Sequence, residues 1–144
     1  MRFHNKYFIS FCAFLAACTV NNSSSNNDID IFKRIKPMAT ECRKAVLIFN
    51  IIDVAYDDIE KNNSFTNTAV LHVCVADTFY QLEEADINIM IEKGKTYAYD
   101  KISNMYKLCN EKINSAGTSL KPVLEYSKKL DKLNEYTTRT LNQC

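Results

Sequence analysis

The sequence predicts an all-α fold, an antiparallel four-helix bundle stapled by two disulfides. Three observations carry that expectation. From residue 31 onward, apolar residues recur every three or four positions, the period of a helix. The two glycines and two prolines, Gly94, Gly117, Pro37 and Pro122, all stand where such stripes begin or end. No alternating apolar and polar run bounded by Gly or Pro supports a strand.

The first stripe is Ile31, Ile35, Met38, Cys42, Ala45, Phe49, Ile52, Tyr56 and Ile59. Pro37 has no N–H to give and clashes with a preceding helical turn. The main helix is therefore expected to start at Pro37 as its first residue and run over 37–61, with a short turn or kinked piece before it. The polar "KNNSFTN" (61–67) supplies a break and cap residues. A second helix over 66–93 carries Ala69, Val73, Ala76, Tyr80, Ile87 and Met90, with Glu83 interrupting the stripe, and Gly94 closes it as a left-handed residue. The third, 96–115, carries Ala98, Ile102, Met105, Cys109 and Ile113 up to Gly117. The fourth, 120–144, turns Val123, Tyr126, Leu130, Leu133, Thr137 and Leu141 inward.

Six cysteines are present, and Cys12 and Cys18 fall in the N-terminal region. The other four, Cys42, Cys74, Cys109 and Cys144, sit one per expected helix, which in an exported chain reads as two disulfides. Gaps above thirty residues argue against a zinc site, whose cysteines come in close pairs. Helix register ranks the pairings. At 1.5 Å per residue, Cys74–Cys109 needs about 9 Å of slip between neighbouring helices. That leaves Cys42–Cys144, with a nominal stagger of about 20 Å that a terminal turn can fold back to close. The pairing Cys42–Cys74 with Cys109–Cys144 needs about 16 and 27 Å, and Cys74–Cys144 about 36 Å. The expected pairs are Cys74–Cys109 and Cys42–Cys144.

The N-terminus has its own grammar. Arg2, His4 and Lys6 precede an apolar stretch, Phe8 to Ala17, of signal-peptide length and too short to span a bilayer. It ends in Leu15-Ala16-Ala17-Cys18, which resembles the lipobox of the bacterial lipoprotein signal. That resemblance implies cleavage before Cys18, lipidation of Cys18 and attachment to the cell envelope. "TVNNSSSNND" behind it has the composition of a flexible tether. The division is then 1–18 signal peptide, 19–30 tether and 31–144 helical domain. A second route is cleavage after Cys18 by a general signal peptidase, which gives an extracellular protein. In that case the sequons at Asn21, Asn22 and Asn62 are glycosylation acceptors in a eukaryotic secretory pathway.

Chemistry is sparse. With Arg2 and Lys6 removed, 16 basic residues face 17 acidic ones, which argues against a nucleic-acid partner. His72 is the one histidine left, and no metal motif, haem motif, phosphate loop or catalytic constellation accompanies it. It reads as a structural histidine. No catalytic residue, metal or cofactor is expected. "AVLIFNIIDVAY" (45–56) is apolar around most of its circumference, as a central helix is. Val46, Leu47, Ile48, Ile51 and Val54 lie off the main stripe and would line a binding surface if exposed. The expected function is that of a non-catalytic, envelope-anchored module that binds another protein, as an inhibitor, immunity or accessory factor. The alternatives are a secreted eukaryotic effector, salivary or reproductive protein, and a carrier of an apolar small ligand.

Overall fold

The computed structural model describes residues 30–115 and 121–144. The expected signal peptide (1–18), the tether up to residue 29, Gly117 and Ser119 lie outside them. Every regular element among the described residues is a helix, and there are six: α1 (Ile31–Ile35), α2 (Thr40–Asn62), α3 (Asn67–Gln81), α4 (Glu84–Lys93), α5 (Lys95–Ser115) and α6 (Lys121–Leu141).

Two boundaries differ from the sequence expectation. Pro37 does not open the main helix. It lies in the turn between α1 and α2, and α2 begins at Thr40. The piece before it is a true helix because Asp30 caps it: its carboxylate accepts from the amides of Phe32 (3.0 Å) and Lys33 (3.4 Å). The expected second helix breaks in two at Leu82 and Glu83, both with extended backbone. The Lys44 ammonium donates to the Leu82 carbonyl at 3.0 Å, satisfying one of the acceptors that a helix end leaves open. The break turns α4 so that Ile87, Met90 and Ile91 are buried.

The remaining corners follow local rules. Asn63 ends α2 at φ 52°, ψ 34°, a left-handed conformation that Asn tolerates better than most residues. Gly94 joins α4 directly to α5. Its φ of 89° is positive as expected, but its ψ of −173° is extended, a region open essentially to glycine alone.

Helix α2 packs on α3 and α6, and α3 is enclosed by α2, α5 and α6. Helix α4 lies against α2 and α5, and α1 against α2 and α4. The core therefore surrounds α2 and α3. This settles the 45–56 stretch as interior: Val46, Leu47, Ile48 and Ile51 are fully buried and Val54 is half-buried. These five residues do not form an open groove, because α3, α6, α4 and α1 together cover the sides of α2. Tyr80 departs the other way. Expected inward, it stands at the surface, edge-on to Tyr136 at 5.0 Å with the Lys44 ammonium 5.3 Å from its ring.

Two disulfides join distant segments. Cys74 of α3 meets Cys109 of α5 with Cα atoms 5.9 Å apart, and Cys42 of α2 meets Cys144 at 6.1 Å. Helix α6 stops at Leu141, and the last three residues turn back, with the Cys144 amide on the Leu141 carbonyl at 3.2 Å. Beside that bridge the Tyr136 hydroxyl donates to Glu41 at 3.0 Å. Burial and this carboxylate together raise the Tyr136 pKa far above the ordinary phenol value.

Candidate functional site

The break between α3 and α4 creates a surface feature, among the described residues, with the makings of a binding site. Leu82, at the break, cannot follow α3 and instead faces α5. Helix α4 then runs beside α5, and between them lies an open cleft of about 210 Å³. Its walls are Leu82, Asp86, Ile89, Met90, Tyr97, Lys101 and Met105. Ile89 is 43% exposed, unusual for so large an apolar side chain. Leu108, 57% exposed, stands seven residues beyond Lys101 and so on the same side of α5.

The cleft has a cationic rim. The Tyr97 ring is flanked by two ammonium groups, Lys93 at 4.9 Å and Lys101 at 5.3 Å, both within reach of its π face. Ion pairs among the described residues are made instead by Lys129, with Asp77 at 2.9 Å and Glu125 at 3.8 Å, and by Arg139 with Glu135 at 3.7 Å. Two methionines line the wall, and their unbranched chains can reshape to fit an incoming group. The chemistry on offer is therefore apolar contact with charge at its edges: Lys93 and Lys101 beside Tyr97, and the Asp86 carboxylate in the wall.

A second cluster lies inside. His72 is 2% exposed. Its Nδ1 shares a hydrogen bond with the Tyr106 hydroxyl at 2.9 Å, the two rings meeting edge-on at 5.5 Å. Its Nε2 is buried without a partner. Burial lowers the His72 pKa from 6.5 to about 4, and the nearby Asp58 carboxylate opposes this only in part. Asp58 is itself occupied: it accepts from Asn62 Nδ2 at 3.1 Å and from the hydroxyl of Thr66, whose own oxygen caps α3 on the Ala69 amide at 3.1 Å. This largely neutral imidazole links α3 to α5 through its contact with Tyr106. Among the described residues no group of three or more His, Cys, Asp or Glu is placed to hold a metal ion.

The sequence-predicted positions are scattered. Cys18, Asn21 and Asn22 lie outside the described residues. Asn62 ends α2, exposed, with its Nδ2 also donating to the Asp58 carbonyl at 2.9 Å. Val46, Leu47, Ile48 and Ile51 are core. The cleft itself was not legible as a site. The available signals were the off-stripe Ile89 and the Tyr97/Lys101 pair one turn apart, but only the bend at Leu82 brings them together. Among the described residues no helix is long and apolar enough to cross a membrane. No protein-family model, no curated protein and no solved structure matches this chain.

Proposed function

We propose that this chain is an exported, non-catalytic protein-binding module, held at the cell envelope by lipid on Cys18, and that the α4–α5 cleft is its contact site. The observation that carries the reading is the cleft: an apolar wall with Ile89 exposed, and Tyr97 flanked by Lys93 and Lys101. Its chemistry suits a partner that inserts an apolar side chain and places carboxylates beside it. Size argues against this cleft as the site of a carried ligand. About 210 Å³ falls below the 300–1,000 Å³ of pockets that enclose small ligands. The two disulfides agree with export into an oxidising compartment.

In this reading the four longer helices form an antiparallel four-helix bundle. Two pairs support it. Along α2 and α6, Glu41 meets Tyr136 at the end where Cys42 meets Cys144. Along α3 and α5, Leu82 shares the cleft with Lys101 while Cys74 pairs with Cys109. Helix α5 packs on α3 and α4, and this outward placement is what opens the cleft.

Titration with amphipathic helical peptides tests the contact site. A peptide with a leucine face flanked by glutamates should bind, and the same face flanked by lysines should not. Ile89→Asp should abolish the binding. Equal binding of both peptides, or an unaffected Ile89→Asp, would remove the cleft from consideration. The anchoring is tested by intact mass of the exported protein and by Cys18→Ser, which should remove the lipid mass and release the protein from membranes washed at high salt. The secreted alternative has one favourable observation, the exposure of the Asn62 sequon. Hexose additions on Asn21, Asn22 or Asn62, with no lipid on Cys18, would establish it.

A further inference from the structure

We infer that the basic surface beside α1, formed by Lys33, Lys36 and Lys95, docks onto an anionic phospholipid bilayer and lays the domain down on the membrane. The inference takes from the envelope reading that a membrane is nearby. The surface itself stands on separate observations. Helix α1 turns Ile31, Phe32 and Ile35 into the core, which leaves Lys33, Arg34 and Lys36 as its outer face. The carboxylate of Asp30, which caps the helix, is taken up by the amides of Phe32 and Lys33. Lys95 joins from α5: its ammonium is 5.5 Å from the Tyr99 ring, which packs edge-on against Phe32 at 6.0 Å. Lys33, Lys36 and Lys95 make none of the ion pairs among the described residues, which belong to Lys129 and Arg139.

Position selects a bilayer over other anionic partners. The chain enters the folded domain at Asp30, on this same surface. The twelve residues from Cys18 to Asp30 extend at most about 40 Å, at 3.3–3.6 Å each. A lipid on Cys18 would therefore make α1 the first element to meet the headgroups, and attachment raises the effective concentration of its charges there. Each lysine near an anionic leaflet strengthens binding about fivefold. Tyr99 adds a side chain of the kind enriched at bilayer interfaces.

The experiment uses the full chain carrying Cys18→Ser, so that lipidation plays no part, and measures partition onto mixed phosphatidylcholine–phosphatidylglycerol vesicles and onto pure phosphatidylcholine vesicles. The apolar 8–17 stretch, Arg2 and Lys6 are common to all variants and cancel in the comparison. Adding Lys33→Gln, Lys36→Gln and Lys95→Gln together should weaken partition onto the anionic vesicles about 100-fold and leave the phosphatidylcholine value unchanged. Equal partition with and without the three substitutions overturns the proposal. So does a surface that binds soluble polyglutamate or DNA as tightly as the vesicles, which would mark a general polyanion site. Should the triple variant misfold, salt decides: binding of the Cys18→Ser chain to anionic vesicles must fall as salt rises, and salt-insensitive binding overturns the proposal. Intact mass of the exported protein reports lipidation separately, so failure of the anchor and failure of the surface are distinguishable.

Discussion

Helices α2 and α5 are nearly equal in length, 23 and 21 residues, yet they are held in different ways. Ten residues of α2 are buried, including the continuous run Ala45 to Asp53. In α5 only Ala98, Ile102 and Cys109 are. Helix α2 is kept in place by apolar burial on several sides. Helix α5 rests on a narrow stripe, a disulfide to α3 and tyrosines that reach across: Tyr106 to His72, Tyr99 to Phe32. The comparison teaches a division of labour. Helix α2 forms the centre of the core, whereas α5 packs at its edge and leaves most of its surface unburied.

The largest expected effect is in α2. Phe49 is 4% exposed, and Phe49→Ala should cost about 3–5 kcal/mol, a large share of the stability of a domain this size. A loss below about 1 kcal/mol in chemical denaturation would mean that the core can close over the site. Replacing Cys74 and Cys109 by Ala opens a 35-residue separation. In the chain-entropy model that costs about 4 kcal/mol at most. Hydrogen exchange should show the amides of α5 opening more than those of α2. Uniform loss of protection in both helices would erase the distinction between them.

The burial of His72 makes the stability of the fold sensitive to pH. The folded pKa of His72, about 4, lies below its ordinary 6.5, so the unfolded chain binds the proton first. Stability from this group is complete above about pH 6.5 and is lost as pH falls towards 4. The loss amounts to about 3 kcal/mol at 1.36 kcal/mol per pH unit. His72→Gln should remove that part of the pH dependence in urea titrations at neutral and acid pH. An unchanged acid slope would place the titration elsewhere. At the other end of the fold, Tyr136→Phe deletes the hydrogen bond to Glu41 and should cost about 1–2 kcal/mol, read from the shift in the denaturation midpoint. The smallest effect belongs to the outer side of α5. Leu108→Gln should change stability by under about 0.5 kcal/mol, as exposed positions do, and a larger loss would mean that Leu108 is part of the packing.

Much of the fold was readable in the residues themselves. The stripe through Ala45, Phe49 and Ile52 foretold a buried face because helical period and apolar burial act on neighbours three and four apart. The stripe through Leu130, Leu133 and Leu141 did the same for α6. Gly94 announced a positive φ, since few other residues accept one. The break at Leu82 was not readable in the same way, because no Gly or Pro marks it. The donor that meets the Leu82 carbonyl there is Lys44, 38 positions earlier. The cleft was hidden for the same reason, since its walls come from either side of that break.

By itself the sequence determined helical class, the approximate spans of α2, α5 and α6, and the four cysteines of the helical region. These follow from short-range periodicity, caps and composition, which act within a turn or two of the chain. Tertiary structure alone decided that the Ala45–Asp53 stretch of α2 is covered on every side, that α5 packs outward on α3 and α4, and that Ile89, Tyr97 and Lys101 meet in one cleft. Those outcomes depend on which helix surfaces exclude water together, and that is a property of pairs of segments far apart in the chain.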